Sequence, residues 1–309
     1  MDQEKNAKRL DAILSEVAGG AERAGGRGWR FTLRNGGSPG GSATLRGSWL
    51  LLDAPAGMRQ GLEPVSVLLA HPLLPGAGKA VVADEESGLR LRAEIPLDRG
   101  VDVERWMMDT FHGFESFADV LDRVRSGNGG ENRNPRAPSG TGPTEDRDGD
   151  AIRESVEEAG WRAEGRPDGT LSVDLETARG PRRAIITRLA DGGVRPAARI
   201  ARLEGSGGET LEAAALFLLS ASASIRLVRP TLEREEGGGS ALLFETRMHG
   251  SPTACEIDHA LQALSVASRA CGKEVPLFRS KRIASAYLES RGWAGGSTLS
   301  PRSPEQQGG

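Results

Sequence analysis

The clearest pattern of apolar and polar positions runs from Leu89 to Val124. Leu89, Leu91, Ala93, Ile95 and Leu97 alternate with Arg90, Arg92, Glu94 and Pro96. That period of two places the apolar side chains on one face of a strand. Asp98-Arg99-Gly100 breaks the strand, and the period then lengthens: Val103, Trp106, Met107, Thr110, Phe111, Phe114, Leu121 and Val124 recur at helical spacing. A weaker copy occupies Leu242–Cys271, with Leu242, Phe244, Thr246 and Met248 alternating before a helical stripe of Ile257, Ala260, Leu261, Leu264, Ala267 and Cys271. The repetition predicts an α+β protein of two tandem units, each an antiparallel sheet packed against N- and C-terminal helices.

The flanking sequence fills in both copies. Leu10, Ile13, Leu14 and Val17 predict a first helix ended by Gly19-Gly20. Trp29, Phe31 and Leu33 alternate as a strand, the loop Asn35–Gly41 follows, and Ala43–Asp53 predicts a second strand. Its Leu50-Leu51-Leu52 run suggests burial on both faces. Val65–Leu69 is either a strand or a helical turn limited by Pro72 and Pro75, so the first copy reads as degenerate there. Ala80–Ala83 pairs with Leu89–Leu97 across the acidic turn Asp84–Gly88, read as a solvated loop.

The second copy restarts with a helix, Ile152–Ala159, and with Gly160-Trp161-Arg162 where the first has Gly28-Trp29-Arg30. A hairpin around Pro167-Asp168-Gly169, strands Arg183–Leu189 and Val194–Leu203, and an Ala/Leu-rich helix Leu211–Ala223 follow. Ile225–Leu232 is strand-like, and Pro230 assigns it to an edge or a bulge. Ser280–Glu289 is a last amphipathic piece. These readings divide the chain into a first domain (1–125), a linker (126–150), a second domain (151–293) and a tail (294–309), the linker and tail being disordered by composition. Asp146, Asp148 and Asp150 superficially suggest a calcium loop, but Ala151 stands where that loop needs glycine.

The order of elements resembles the type III secretion chaperone family and the related YbjN-type domains. The resemblance rests on Ala223-Ser224-Ile225-Arg226-Leu227, the hairpin ending Phe244-Glu245-Thr246-Arg247 and the helix from Glu256, echoed by Gly88–Leu97 and the helix from Asp102. It implies protein binding: a partner segment held in extended form on apolar helix faces or a sheet edge. Two copies in one chain then imply an internal pseudo-dimer within a monomer, or a homodimer. Trp106, Phe111, Phe114 and Phe117 are the leading candidates for the partner surface, with burial in the core as the competing reading. A structural or regulatory protein without a client is the alternative, and an enzyme with a scattered site the third.

Composition narrows these readings. Apolar residues make up 37 % of the 309, aromatics 4 %, and glycines number 42, so the cores rest on aliphatic side chains. With 40 basic against 43 acidic residues, the balance argues against a general nucleic-acid binder. No apolar run is long enough for a membrane span, and two cysteines make no disulfide framework, so a cytoplasmic protein is expected.

No catalytic residue, cofactor or metal site is assigned. Cys255 and His259 lie four apart on a helix, and His249 and Cys271 complete a conceivable zinc set, but Cys271 falls off the shared face. A buried structural cysteine and a surface histidine are the expected reading. His112 reads as a helix-surface residue and His71 as a loop residue before Pro72. The glycine clusters Gly36–Gly41 and Gly237–Gly239 lack the following helix that a phosphate cradle needs. Arg188, Arg195, Arg199, Arg202, Arg226 and Arg229 could align as a stripe, read first as a sheet face paired with glutamates and second as a groove for an acidic peptide or RNA.

Overall fold

The computed structural model describes residues 3–34, 40–56, 63–83, 88–127, 147–176, 182–204, 208–235 and 237–293. The loop stretch 35–39, the acidic turn 84–87, linker residues 128–146 with the first calcium-loop aspartate, and the tail from 294 lie outside them.

The first half runs α1 (Gln3–Val17), β1 (Gly20–Arg23), β2 (Gly28–Thr32), β3 (Gly41–Arg46), β4 (Trp49–Pro55), α2 (Pro64–Ala70), a 3-10 turn (His71–Leu73), β5 (Lys79–Val82), β6 (Leu89–Pro96) and α3 (Val103–Arg125). The second repeats that order: α4 (Arg147–Glu158), β7 (Ala163–Gly165), β8 (Leu171–Leu175), β9 (Arg182–Arg188), β10 (Val194–Leu203), α5 (Glu209–Ser222), β11 (Arg229–Arg234), β12 (Ser240–Glu245) and α6 (Ala254–Cys271). It then adds a 3-10 turn (Val275–Arg279) and α7 (Lys281–Ser290). Among the described residues both sheets have six strands, in the equivalent orders β1-β2-β3-β4-β6-β5 and β7-β8-β9-β10-β12-β11. Every pairing is antiparallel. The duplication is therefore a property of the topology as well as of the residue pattern.

Several local expectations change. Ala43–Asp53 is two strands, because Gly47 takes φ +62° and turns the chain between β3 and β4. Leu50 and Leu52 are buried while Leu51 is half-exposed, so one face only meets the core. Val65–Leu69 belongs to a true helix: Pro64 starts it, where a missing N–H costs nothing, and the chain tightens into the 3-10 turn at His71. Trp29 lies within β2 but Trp161 lies between α4 and β7, so the two Gly-Trp-Arg triplets are not counterparts. Each indole nonetheless donates to a helix carboxylate, Trp29 to Asp11 at 2.6 Å and Trp161 to Asp258 at 2.9 Å.

The four aromatics of α3 are core residues, not a surface: Trp106, Phe111, Phe114 and Phe117 are all at most 6 % exposed. A 23-residue amphipathic helix laid on a sheet buries a broad stripe, and here that stripe faces sheet, α2 and the chain before β5. Phe111 meets Phe31 of β2 edge-on at 4.9 Å, and Phe114 packs on Gly78.

The halves meet through equivalent elements. The middle helix α2 packs against β11 and α5, and α5 packs in turn against β5. Each inner edge strand is thus covered by a helix of the other half, which removes an open sheet edge. α5 is apolar nearly all round, so it needs cover on every side; α7 and the turn before it supply the rest, with Phe217, Phe278 and Tyr287 in mutual ring contact.

Two buried cations repeat the reciprocity. Lys79, the first residue of β5, pairs with Glu94 at 2.9 Å and donates to the carbonyl of Ile225 in the other half. Arg229, the first residue of β11, pairs with Glu245 at 2.9 Å and donates to the carbonyls of Leu74 (3.0 Å) and Gly76 (3.3 Å). The Leu227 N–H returns across the junction to Glu94 at 3.2 Å. Leu227 holds φ +63°, a conformation a bulky side chain adopts at a cost of about 1–2 kcal/mol, and this bond together with full burial holds it there.

Candidate functional site

Polar groups from both halves converge where the N-terminal turns of α3 approach the chain between β12 and α6. Asp102 caps α3 by accepting from the Arg105 N–H at 3.2 Å. Thr253 caps α6 in a capping box with Glu256. The two helix starts are stitched together: Glu256 accepts from the Trp106 indole (2.7 Å) and the Asp102 N–H (3.3 Å), and the Thr253 hydroxyl donates to the carbonyl of Gly100 at 2.6 Å.

These turns wall a cleft of about 140 Å³ lined by residues that include Arg105, Trp106, Asp109, Arg247, His249 and Glu256. Its floor is the segment before β5. Gly76, at φ +64°, lies against the backbone of Asp109 and Thr110, where a Cβ would collide. Arg247 spans the junction by donating to the carbonyl of Pro72 (3.1 Å) and to Asp191 (2.5 Å). Burial pushes the Asp191 carboxyl up, but the Gly193 N–H and Arg247 outweigh it and hold the group below its ordinary value. Asp109 goes the other way: burial raises it despite His249, Arg105, His112 and Arg247 nearby. Arg247 Nε and His249 Nε2 are buried without a hydrogen-bond partner.

His71, expected in a loop, is fully buried at the junction. Its Nδ1 lies 2.5 Å from the carbonyl of Pro230, and its Nε2 accepts from the Ala80 N–H at 2.8 Å. One nitrogen must donate and the other accept, so the ring is the neutral Nδ1–H tautomer. Burial drives its pKa down to about 3, with Arg229 and Lys79 adding to the effect. A histidine beside proline in an apolar stretch carried no signal of this role, because both partners come from residues remote in sequence.

The other candidates fall apart as a site. His259 is turned to the first half, 2.8 Å from Asp98 and edge-on to Trp49, while Cys255 packs on Gly100. Both are junction contacts, neither a surface histidine nor a buried cysteine. The Cys255 thiol is raised by burial and by Asp98, Asp258 and Glu256, and burial pushes Cys271 up to about 12, so neither thiolate is favoured. Among the described residues no group of three or more His, Cys, Asp or Glu could hold a metal ion, and no helix is long and apolar enough to cross a membrane.

Of the arginine stripe, Arg195 pairs with Glu233 (3.0 Å) and Glu245 (3.5 Å), while Arg199 and Arg202 share Glu235 at 2.9 and 2.7 Å. Arg229 is buried and Arg226 lies over the Trp49 ring. The reading of a sheet face paired with glutamates describes Arg195, Arg199 and Arg202, and it does not describe Arg226 or the buried Arg229. Comparison with known proteins returns no matching family model, no matching curated protein and no matching solved structure.

Proposed function

We propose that the protein is a non-enzymatic binding module, an intramolecular pseudo-dimer of two secretion-chaperone-like units that holds an extended partner segment on a sheet edge in the cytoplasm. The observation that supports this reading is the reciprocal junction: two units of one strand order facing each other through equivalent helices and edge strands. The chaperone resemblance implies a dimer, and tethering supplies one at an effective concentration of about millimolar.

The partner's place follows from what the fold leaves uncovered. Both inner edges lie under helices, and the α3 aromatics are buried, so apolar helix faces contribute little. Among the described residues the large apolar side chains that remain exposed, Leu73, Met108, Val266, Leu277 and Ile283, sit on five different elements. The outer edge strands β1 and β7 each pair with a single neighbour and are largely exposed. An extended peptide can complete their free N–H and C=O groups. Glu22, Arg23 and Glu164 charge these short edges, which limits indiscriminate pairing.

The test is affinity purification of the tagged full chain followed by hydrogen exchange on the purified complex. One stoichiometric partner that slows exchange in β1 or β7 is expected. A chain that retains no defined partner, or a partner that protects neither edge, refutes the reading.

A further inference from the structure

We propose that the corner between α6 and α7 is a docking surface for an anionic lipid membrane, with Lys273, Arg279, Lys281 and Arg282 against the headgroups and Leu277 and Ile283 dipping between them. The contact is peripheral: the chain rests on the bilayer and does not cross it.

The repeated plan ends with α6, and only the second half continues into the 3-10 turn (Val275–Arg279) and α7. The inner side of this addition serves the fold: Val275, Phe278, Ala284 and Leu288 are buried, and the turn and helix cover α5. Val275 and Phe278, three apart in a 3-10 turn, share the inward face, which turns Leu277 out. Leu277 is 53 % exposed, the most of any large apolar side chain among the described residues, and Ile283 is 37 % exposed. Lys273, Arg279, Lys281 and Arg282 are exposed within the same ten positions, and the turn between them advances only about 10 Å. Residues 269–291 hold six basic and two acidic residues, in a chain whose net charge is −3. Among the described residues Lys273, Lys281 and Arg282 make no ion pair, and Arg279 donates to the carbonyl of Arg202 at 3.0 Å. Of the two acids, Glu274 has a buried carboxylate oxygen and Glu289 stands two turns along α7. Glu209 of α5 meets the addition through the Ser285 hydroxyl at 2.7 Å.

Folding does not call for all of these cations. Arg269 and Lys273 lie at the C-terminal end of α6, where positive charge is favoured. Lys281 and Arg282 instead open α7, with no acidic residue in its first turn. There they oppose the positive end of the helix dipole, and an anionic surface relieves that cost. Apolar side chains set among cations match a bilayer interface, where aliphatic groups enter the acyl boundary and Lys and Arg stay with the headgroups. An acidic polypeptide would answer the charges and leave Leu277 in water. A nucleic acid needs aromatic faces for its bases, but Phe278 and Trp293 are buried and Tyr287 is half-buried.

The surface lies on other elements than the outer edge strands, so it is tested on the full chain with no partner protein present. Co-sedimentation is measured with vesicles of equimolar phosphatidylserine and phosphatidylcholine, and with vesicles of phosphatidylcholine alone. Saturable binding to the first and not to the second is expected. It should be lost as salt rises from about 0.1 M to 1 M and the Debye length falls from about 10 Å to 3 Å. Lys281→Gln with Arg282→Gln should weaken binding about 25-fold, about fivefold for each cation. Leu277→Ser should weaken it about tenfold, for a half-exposed leucine withdrawn from the acyl boundary. Lys8→Gln with Arg9→Gln on α1 is the control and should leave it unchanged. These positions are all exposed, and an unchanged urea midpoint shows that each variant is folded. Equal binding to the neutral vesicles, binding to neither, indifference to Leu277→Ser or to the α7 pair, an equal loss in the α1 pair, or poly-glutamate binding as tightly as the charged vesicles overturns the proposal.

Discussion

Arg229→Ala is the sharpest perturbation of the junction. The guanidinium is 1 % exposed and contacts Glu245 at 2.9 Å through both Nε and Nη2. It also donates to the carbonyl of Leu74 at 3.0 Å, with Gly76 and Gly78 at 3.3 and 3.4 Å. Removing one member of a buried ion pair costs about 3–5 kcal/mol, and the lower end is expected here because Arg195, 3.5 Å from Glu245, remains as a partner for that carboxylate. Against a total stability of about 5–15 kcal/mol, that is a large fraction. Replacing both partners, as Arg229→Met with Glu245→Leu, removes the buried carboxylate as well and is expected to recover most of the loss. Urea unfolding followed by tryptophan fluorescence gives the stability change. Hydrogen exchange at the Ala80 amide, which donates to His71 in the first half, reports whether the damage crosses the junction. Both readouts are expected to fall together in Arg229→Ala. A loss below about 1 kcal/mol, or loosening confined to the second half, would refute the reasoning.

Three further outcomes follow from the same geometry. His71 stays neutral when folded and returns to its ordinary pKa of 6.5 when unfolded, so the unfolded chain binds more protons between pH 6.5 and about 3; stability is complete above that window and falls as pH drops through it, by about 1.4 kcal/mol per unit, a slope that His71→Gln should remove in pH-dependent urea titrations. Phe117→Ala, at a fully buried α3 position, should cost about 3–5 kcal/mol in the same assay, and a surface-like cost below about 0.5 kcal/mol would contradict its place in the core. Cys271, with its thiol pushed up to about 12 and 1 % exposed, should react with a thiol reagent at pH 8 only after unfolding, and rapid modification of native protein would contradict this.

The architecture was legible where one period dominates. The alternation of Leu89–Leu97 and the stripe from Val103 appear as β6 and α3; of the weaker copy, α6 carries the helical stripe and β12 carries Leu242 and Phe244, while Thr246 and Met248 fall beyond its end. Pro230 marks an edge strand, as its missing N–H requires. Short elements were harder: β1 has four residues with no alternation, and α2 spans seven between prolines, too few for a helical period to declare itself. Gly47-Ser48 concealed a hairpin inside what read as one strand, because a two-residue turn that opens on a glycine at positive φ reverses the chain with no longer loop to mark it.

The junction was hardest to see. Lys79, Arg229, His71 and Leu227 find partners roughly 130–160 positions away, and nothing local distinguishes a cation bound for burial from one bound for water. The α3 aromatics show the converse limit. Spacing identifies an apolar face, but the amount of that face that is covered depends on α2 and on the segment before β5 packing over it.

The central claim is that the two halves are held as one body by their reciprocal junction rather than by the chain that connects them. A protease site placed within 128–146 and cleaved in the native protein tests it directly, with the mass of the product read by analytical ultracentrifugation at micromolar concentration. The junction as described predicts that both fragments sediment together at the mass of the intact chain. Separation into two folded species, each at its own mass, would contradict it.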